Sequence, residues 1–176
     1  MTSYVAFLRA INVGGHVVPM ERLRALFEEL KLREVATFIA SGNVLFETAS
    51  ADEAKLEARI ERRLADALGY EVTTFVRPVA ALPAIVDAAP DEPGVQALTV
   101  AFLKGPPDAG AAERLAALRT PTDEFRLHGR EMYWLCRTRI SDSKVTGPRL
   151  ERALGGPSTS RNITTVRRLA EKYAGG

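Results

Sequence analysis

The chain has 176 residues, 46% of them hydrophobic, with 24 basic against 22 acidic side chains and a net charge of +2. A chain of this size and composition buries a sizeable core in one domain or two small ones. Its near-neutral balance argues against a dedicated nucleic-acid coat, and its single cysteine, Cys136, excludes an intramolecular disulfide and points to a reducing compartment.

The opening MTSYVAFLRA has no charged leader and no cleavage site. No run approaches the ~20 apolar residues of a membrane span. The expectation is therefore a cytoplasmic protein without a membrane partner. Tyr4–Leu8 reads as a short buried strand. The polar junction RAINVGGHVV follows, and Pro19 sits at a plausible helix start. Met20, Leu23, Leu26, Phe27 and Leu30 then recur at helical spacing. Val35–Ile39 is a second strand, Ser41-Gly42-Asn43 a tight turn, and Val44–Phe46 the start of a third strand, which makes a hairpin with Gly42-Asn43 at its tip. A second helix runs from about Ala51 to Leu68 on a stripe of Leu56, Ile60, Leu64 and Leu68, and Gly69 stops it. Glu71–Arg77 alternates as a fourth strand.

The order β-α-β-β-α-β is the split βαβ, ferredoxin-like order: an α+β fold with an antiparallel sheet and two helices on one face. Pro78, Pro83, Pro90 and Pro93 punctuate the next segment, with a short helix in AALPAIVDAA. The expected division is a ferredoxin-like subdomain at 1–78, a helix and Pro-rich connection at 79–95, and a second α+β subdomain at 96–176. This second half echoes the first in element order: strand Ala97–Leu103, helix Asp108–Leu118, a hairpin of Glu124–His128 and Glu131–Cys136, and a helix Lys144–Leu154. It is incomplete, because its last strand is missing. The segment PSTSRNITTVRRLAEKYA ends the chain as a helix built on Ile163, Val166, Leu169 and Tyr173. Element order is the only echo; no shared sequence between the halves is apparent.

Four polar segments are candidates for chemistry. In Arg9–His16, glycines Gly14 and Gly15 let a backbone approach a ligand, and amides before a helix can cradle an anion beside Arg9, Asn12 and His16. The nucleotide patterns GxGxxG and GxxxxGK[ST] are absent. Ser41 and Asn43 flank the hairpin tip, which a ferredoxin-like sheet brings near one end of strand one. In ISDSK, Ser141 and Lys144 match the spacing of S-x-x-K acyl-enzymes without their companion motifs, and Ser141, Asp142 and Ser143 read as helix-cap residues. In the last segment, Arg161 and Asn162 stand before a helix, where polar side chains cap it or hold an anion. His16 and His128 are isolated, so no metal site is expected, and Cys136 reads as a buried structural thiol.

Taken together, LRAINVGG, PMERLRALFEEL, SGNVLFE, ISDSKVT and TSRNITTVRRL resemble the bacterial family known as domain of unknown function 1697, over nearly the whole chain. The family pattern usually has Gly where this chain has Ala10, and commonly a Lys in the loop near His16 and a Trp where this chain has Ile163. The resemblance implies an α+β protein with a ferredoxin-like portion, and it brings no activity, substrate or cofactor. Its motif residues fall on Arg9, Asn12, Gly14, Gly15, Ser41, Gly42, Asn43, Ser143, Lys144, Arg161 and Asn162, mostly polar residues or glycines in loops.

Four functions follow as expectations. The leading one is binding of a small anionic ligand, a nucleotide or phosphorylated metabolite, in a polar pocket between the two halves, with Arg9, Lys144 and Arg161 converging. The others are RNA binding on a ferredoxin-like sheet, a hydrolase or transferase using Ser41, Ser143 or His16, and a structural or protein-interaction domain. Neither a heptad nor a large apolar stripe bears on oligomeric state.

Overall fold

The computed structural model describes residues 1–12 and 14–175, and of Ser41 the backbone alone. The chain divides into two compact units, Met1–Leu82 with Leu169–Gly176, and Pro83–Arg168.

In the first unit, β1 (Thr2–Leu8), β2 (Arg33–Phe38), β3 (Ala40–Thr48) and β4 (Thr74–Pro78) form an antiparallel sheet in the order β2-β3-β1-β4. Helices α1 (Met20–Glu29) and α2 (Glu53–Leu68) pack on one face. Leu23, Leu26 and Phe27 of α1 and Leu56, Ile60 and Leu64 of α2 meet Tyr4, Ala6 and Leu8, which alternate along β1. Asp52 caps α2 by accepting from the Lys55 amide at 3.0 Å, and Gly69 ends it at φ 80°. The opposite face of β1, Val5 and Phe7, is also fully buried.

The second unit repeats this plan. Strands β5 (Ala97–Leu103), β6 (Asp123–His128), β7 (Glu131–Cys136) and β8 (Ser158–Asn162) form an antiparallel sheet in the order β6-β7-β5-β8. Helices α4 (Ala111–Ala117) and α5 (Gly147–Leu154) pack through Leu115, Leu150, Ala153 and Leu154 on Ala101, Leu103, Met132 and Trp134. Helix α3 (Leu82–Asp87) is the short helix expected after Pro78, and Tyr133 donates to its Ile85 carbonyl at 2.7 Å. Burial pushes that phenol up to about 12.

Three sequence expectations change. The second half is complete: residues 158–162 form β8 rather than the start of a helix, and only then does α6 (Ile163–Leu169) begin, followed by a π-helical turn, Ala170–Ala174. Strand β8 is an edge strand in which Thr159 alone is buried, so it shows no apolar alternation. Ser41-Gly42-Asn43 is not the hairpin tip. The turn is made at Ile39 (φ 67°), and Asn43 lies inside β3, paired with Phe7. Finally, α5 starts at Gly147 under a Thr146 cap, with Pro148 in its first turn, so Ser141, Asp142 and Ser143 do not cap it.

The duplication also exists in sequence. Val5-Ala6-Phe7-Leu8-Arg9 of β1 recurs as Val100-Ala101-Phe102-Leu103-Lys104 of β5. The partners match too: Val5 pairs with Arg77 and Val100 with Arg161. Each arginine donates from Nη1 to the carbonyl of the preceding residue, at 3.0 and 2.9 Å. Edge strands β4 and β8 are shielded alike. Glu57 and Glu61, one turn apart on α2, accept from the Val76 and Thr74 amides of β4 at 2.8 and 3.0 Å. Glu151 of α5 accepts from the Ser158 amide of β8 at 3.3 Å. Carboxylates thereby occupy N–H groups that would otherwise template a foreign strand.

Candidate functional site

Residues 9–12 and 14–19 leave the end of β1 as irregular loop. The Arg9 amide donates to the Thr73 carbonyl at 2.9 Å, and Ala10 and Gly14–Gly15 take left-handed conformations, φ 54°, 68° and 83°. Asn12 braces the loop, its Oδ1 accepting from the Val18 amide at 2.9 Å. Tyr70 anchors it from α2's far end, donating to the Ile11 carbonyl at 2.7 Å and stacking on His16 with ring centroids 4.0 Å apart. Gly14, Gly15 and His16 are exposed. Asn43, opposite Phe7, stands at the same end of the sheet, so the RAINVGG and SGN segments are brought together there. Asn43 is buried, however, and its amide donates to the Phe38 carbonyl at 3.1 Å, closing the Ile39 turn.

In the second unit the other two segments share one sheet end but occupy opposite edges. Ser143 donates to Asp123 at 2.9 Å, and Asp123 opens edge strand β6. Arg161 and Asn162 close edge strand β8. Three strand spacings separate the edges, about 14 Å. Asn162 caps α6 by accepting from the Thr164 amide at 2.9 Å. Lys144 is exposed. Arg161 is half-buried, with Nη1 also donating to Thr159 Oγ1 at 2.8 Å, and burial pulls its guanidinium down to about 10. Arg77, its counterpart in the first unit, is fully buried.

The candidates thus divide by what their polar atoms do. Asn12, Asn43, Ser143 and Asn162 satisfy the protein's own groups and fix loop shape. Arg9, Lys144 and Arg161 supply the cationic side chains.

Sequence reasoning missed Asp123, which is 1% exposed. Its Oδ2 accepts from Thr120 and Thr122 hydroxyls at 2.6 and 3.1 Å, and its Oδ1 from Trp134 Nε1 and Ser143 at 2.8 and 2.9 Å. Burial raises the carboxyl's affinity for a proton, but the four hydrogen bonds together outweigh it and hold the group below the usual carboxylate range. The available signal was T-x-T-D before a strand, a turn pattern whose donors face back on the acid. Four clefts of 320–420 Å³ open on the two units. None of these four takes a candidate residue of the polar segments into its walls. Among the described residues no group of three or more His, Cys, Asp or Glu could hold a metal ion, and no helix is long and apolar enough to cross a membrane.

Two antiparallel four-stranded sheets, each carrying two helices on one face, define an α+β protein built by repetition of one βαββαβ unit. The family model described as Protein of unknown function (DUF1697) matches residues 1–133, and the chain belongs to that family. No curated protein matches the chain. Among solved structures, a conserved bacterial protein from Streptococcus pneumoniae superposes with a TM-score of 0.74 at 22% identity, covering 97% of each chain. That likeness is one of fold.

Proposed function

We propose that this protein binds a small anionic ligand, a nucleotide or phosphorylated metabolite, with Arg161 of the second unit as the principal cationic contact. The observation that carries the reading is the state of Arg161. Its charge is partly desolvated, enough to pull its pKa to about 10, while two hydrogen bonds from Nη1 hold the side chain in one orientation. A guanidinium already partly desolvated and pre-oriented gains more from a phosphate or carboxylate than a fully solvated one does. We infer a cytoplasmic location from the reduced, buried Cys136.

The test is a thermal-shift screen against inorganic phosphate, nucleotides, sugar phosphates and acyl phosphates. A ligand at ~100 times its Kd adds about 2.7 kcal/mol of stability. The expected result is a hit that Arg161→Ala abolishes and Arg161→Lys weakens, both variants remaining folded. A flat screen, or a hit indifferent to Arg161, overturns the reading.

A second reading is favoured by a separate observation. Asn12, Asn43, Ser143 and Asn162 all spend their polar atoms on the protein's own groups, as a purely structural or interaction domain would require. On that reading Arg161→Ala changes stability alone.

A further inference from the structure

In the second unit, α4 and α5 lie side by side on the sheet, and a shallow cleft of 320 Å³ runs between their outer surfaces. Its apolar lining is Ala117, Leu118 and Ala153, of which Ala153 is buried and Leu118 half-buried. Its remaining lining residues are all basic: Arg114, Arg149 and Arg152. The three arginines are not equivalent. Arg114 is committed, donating to Asp108 at 2.7 Å and to the Ala153 carbonyl at 2.8 Å. Arg149 and Arg152 are exposed and form no ion pair among the described residues. Three other exposed arginines of this unit have acidic partners, Arg119 with Glu124, Arg126 with Glu92 and Arg139 with Asp142, whereas Arg167, also exposed, forms no ion pair among the described residues. Two uncompensated guanidinium groups one helical turn apart therefore border a strip of small apolar side chains.

We propose that this cleft is a docking groove for an acidic amphipathic helical segment of a partner protein. The warrant is complementarity of charge and shape. Arg149 and Arg152, at i and i+3, match carboxylates one turn apart on a facing helix. Ala117 and Ala153 let that helix approach closely, and half-buried Leu118 offers the apolar contact that an anion alone does not need. Arg161 lies elsewhere: it pairs with Val100, on the sheet face opposite Ala101 and Leu103, which pack against α4 and α5. Docking and small-ligand binding are thus independent and fail independently.

The probe is a fluorescein-labelled peptide of about 15 residues with Leu and Glu each repeating at helical spacing. Its companions are the same peptide with Lys for Glu, a scrambled peptide of identical composition, and a single-stranded RNA of equal charge. Fluorescence anisotropy is read on the full chain. The expected result is saturable binding of the acidic helical peptide only, weakened about tenfold or more by Arg149→Glu with Arg152→Glu and by rising salt. Leu118→Ala should weaken it about threefold, a loss that charge attraction by itself does not predict. Circular dichroism and the Trp134 unfolding curve of each variant establish that it folds. Absence of saturable binding, equal binding of the scrambled peptide, or RNA binding that the same arginine variants weaken overturns the proposal.

Discussion

Removal of the Asp123 carboxylate is the sharpest test of how the second unit is held together. Four donors converge on a group that is 1% exposed, and they differ in what they can do without it. The hydroxyls of Thr120, Thr122 and Ser143 rotate and can find other acceptors; Thr120 and Thr122 already lie 3.3 Å apart. Trp134 Nε1 donates only, and its ring is buried. Asp123→Ala therefore strands one indole N–H, a loss of about 1–3 kcal/mol, and also leaves a cavity and frees the Ser143 loop. Asp123→Asn keeps an oxygen for Trp134 and Ser143 and offers its amide to hydroxyls that can accept, so its loss is about 1–2 kcal/mol at pH 7. Because the folded carboxyl sits below its usual range, its stabilisation is present in full above the unfolded pKa of about 3.9 and disappears as pH falls through the lower folded value. The gap between the natural protein and Asp123→Asn should stay constant from about pH 7 to 5 and close below about pH 4. Urea unfolding followed by Trp134, the only tryptophan, reads this directly. An Asp123→Ala loss under about 1 kcal/mol, or a gap unchanged at low pH, would refute the reasoning.

Ala10 occupies a left-handed conformation, φ 54°, which a residue with a Cβ rarely adopts. Relief of that strain, about 1–2 kcal/mol, exceeds the added freedom of the unfolded chain, about 0.4–1 kcal/mol, so Ala10→Gly should raise the urea midpoint slightly. Glu57 is 5% exposed and occupies the Val76 amide, so Glu57→Ala should cost about 1–3 kcal/mol by denaturant unfolding and promote concentration-dependent association through the opened β4 edge, with Glu57→Gln milder on both.

Much of the fold was written locally. The helical stripes of α1 and α2, the Gly69 stop and the strand Tyr4–Leu8 follow from apolar spacing and turn chemistry. So the order β-α-β-β-α-β could be read for the first half. The second half carried the same order up to α5, and the recurrence VAFL followed by a basic residue was present in the letters, though short enough to pass unnoticed. Strand β8 was hidden because an edge strand with one buried residue has no pattern of its own; it is defined by pairing with β5. The Ile39 turn was hidden for a related reason. Gly42-Asn43 is the better turn sequence locally, but the pairing of Asn43 with Phe7 and the burial of Val44 and Phe46 shift the register and override it.

The candidate site divides in the same way. Residue type made Arg9, Gly14–Gly15, Lys144 and Arg161 candidates from sequence alone, because glycine's freedom and a cationic side chain are properties of single residues. Which polar side chains are already spent is a matter of partners far away in sequence: Asn43 on the Ile39 turn, Ser143 on a carboxylate twenty residues earlier, Glu57 and Glu61 on the edge of β4. The degree to which Arg161 is desolvated, and the burial of its twin Arg77, are likewise set by what tertiary packing lays over an edge strand, and a hydrogen bond or a lost hydration shell has no signature until that packing exists.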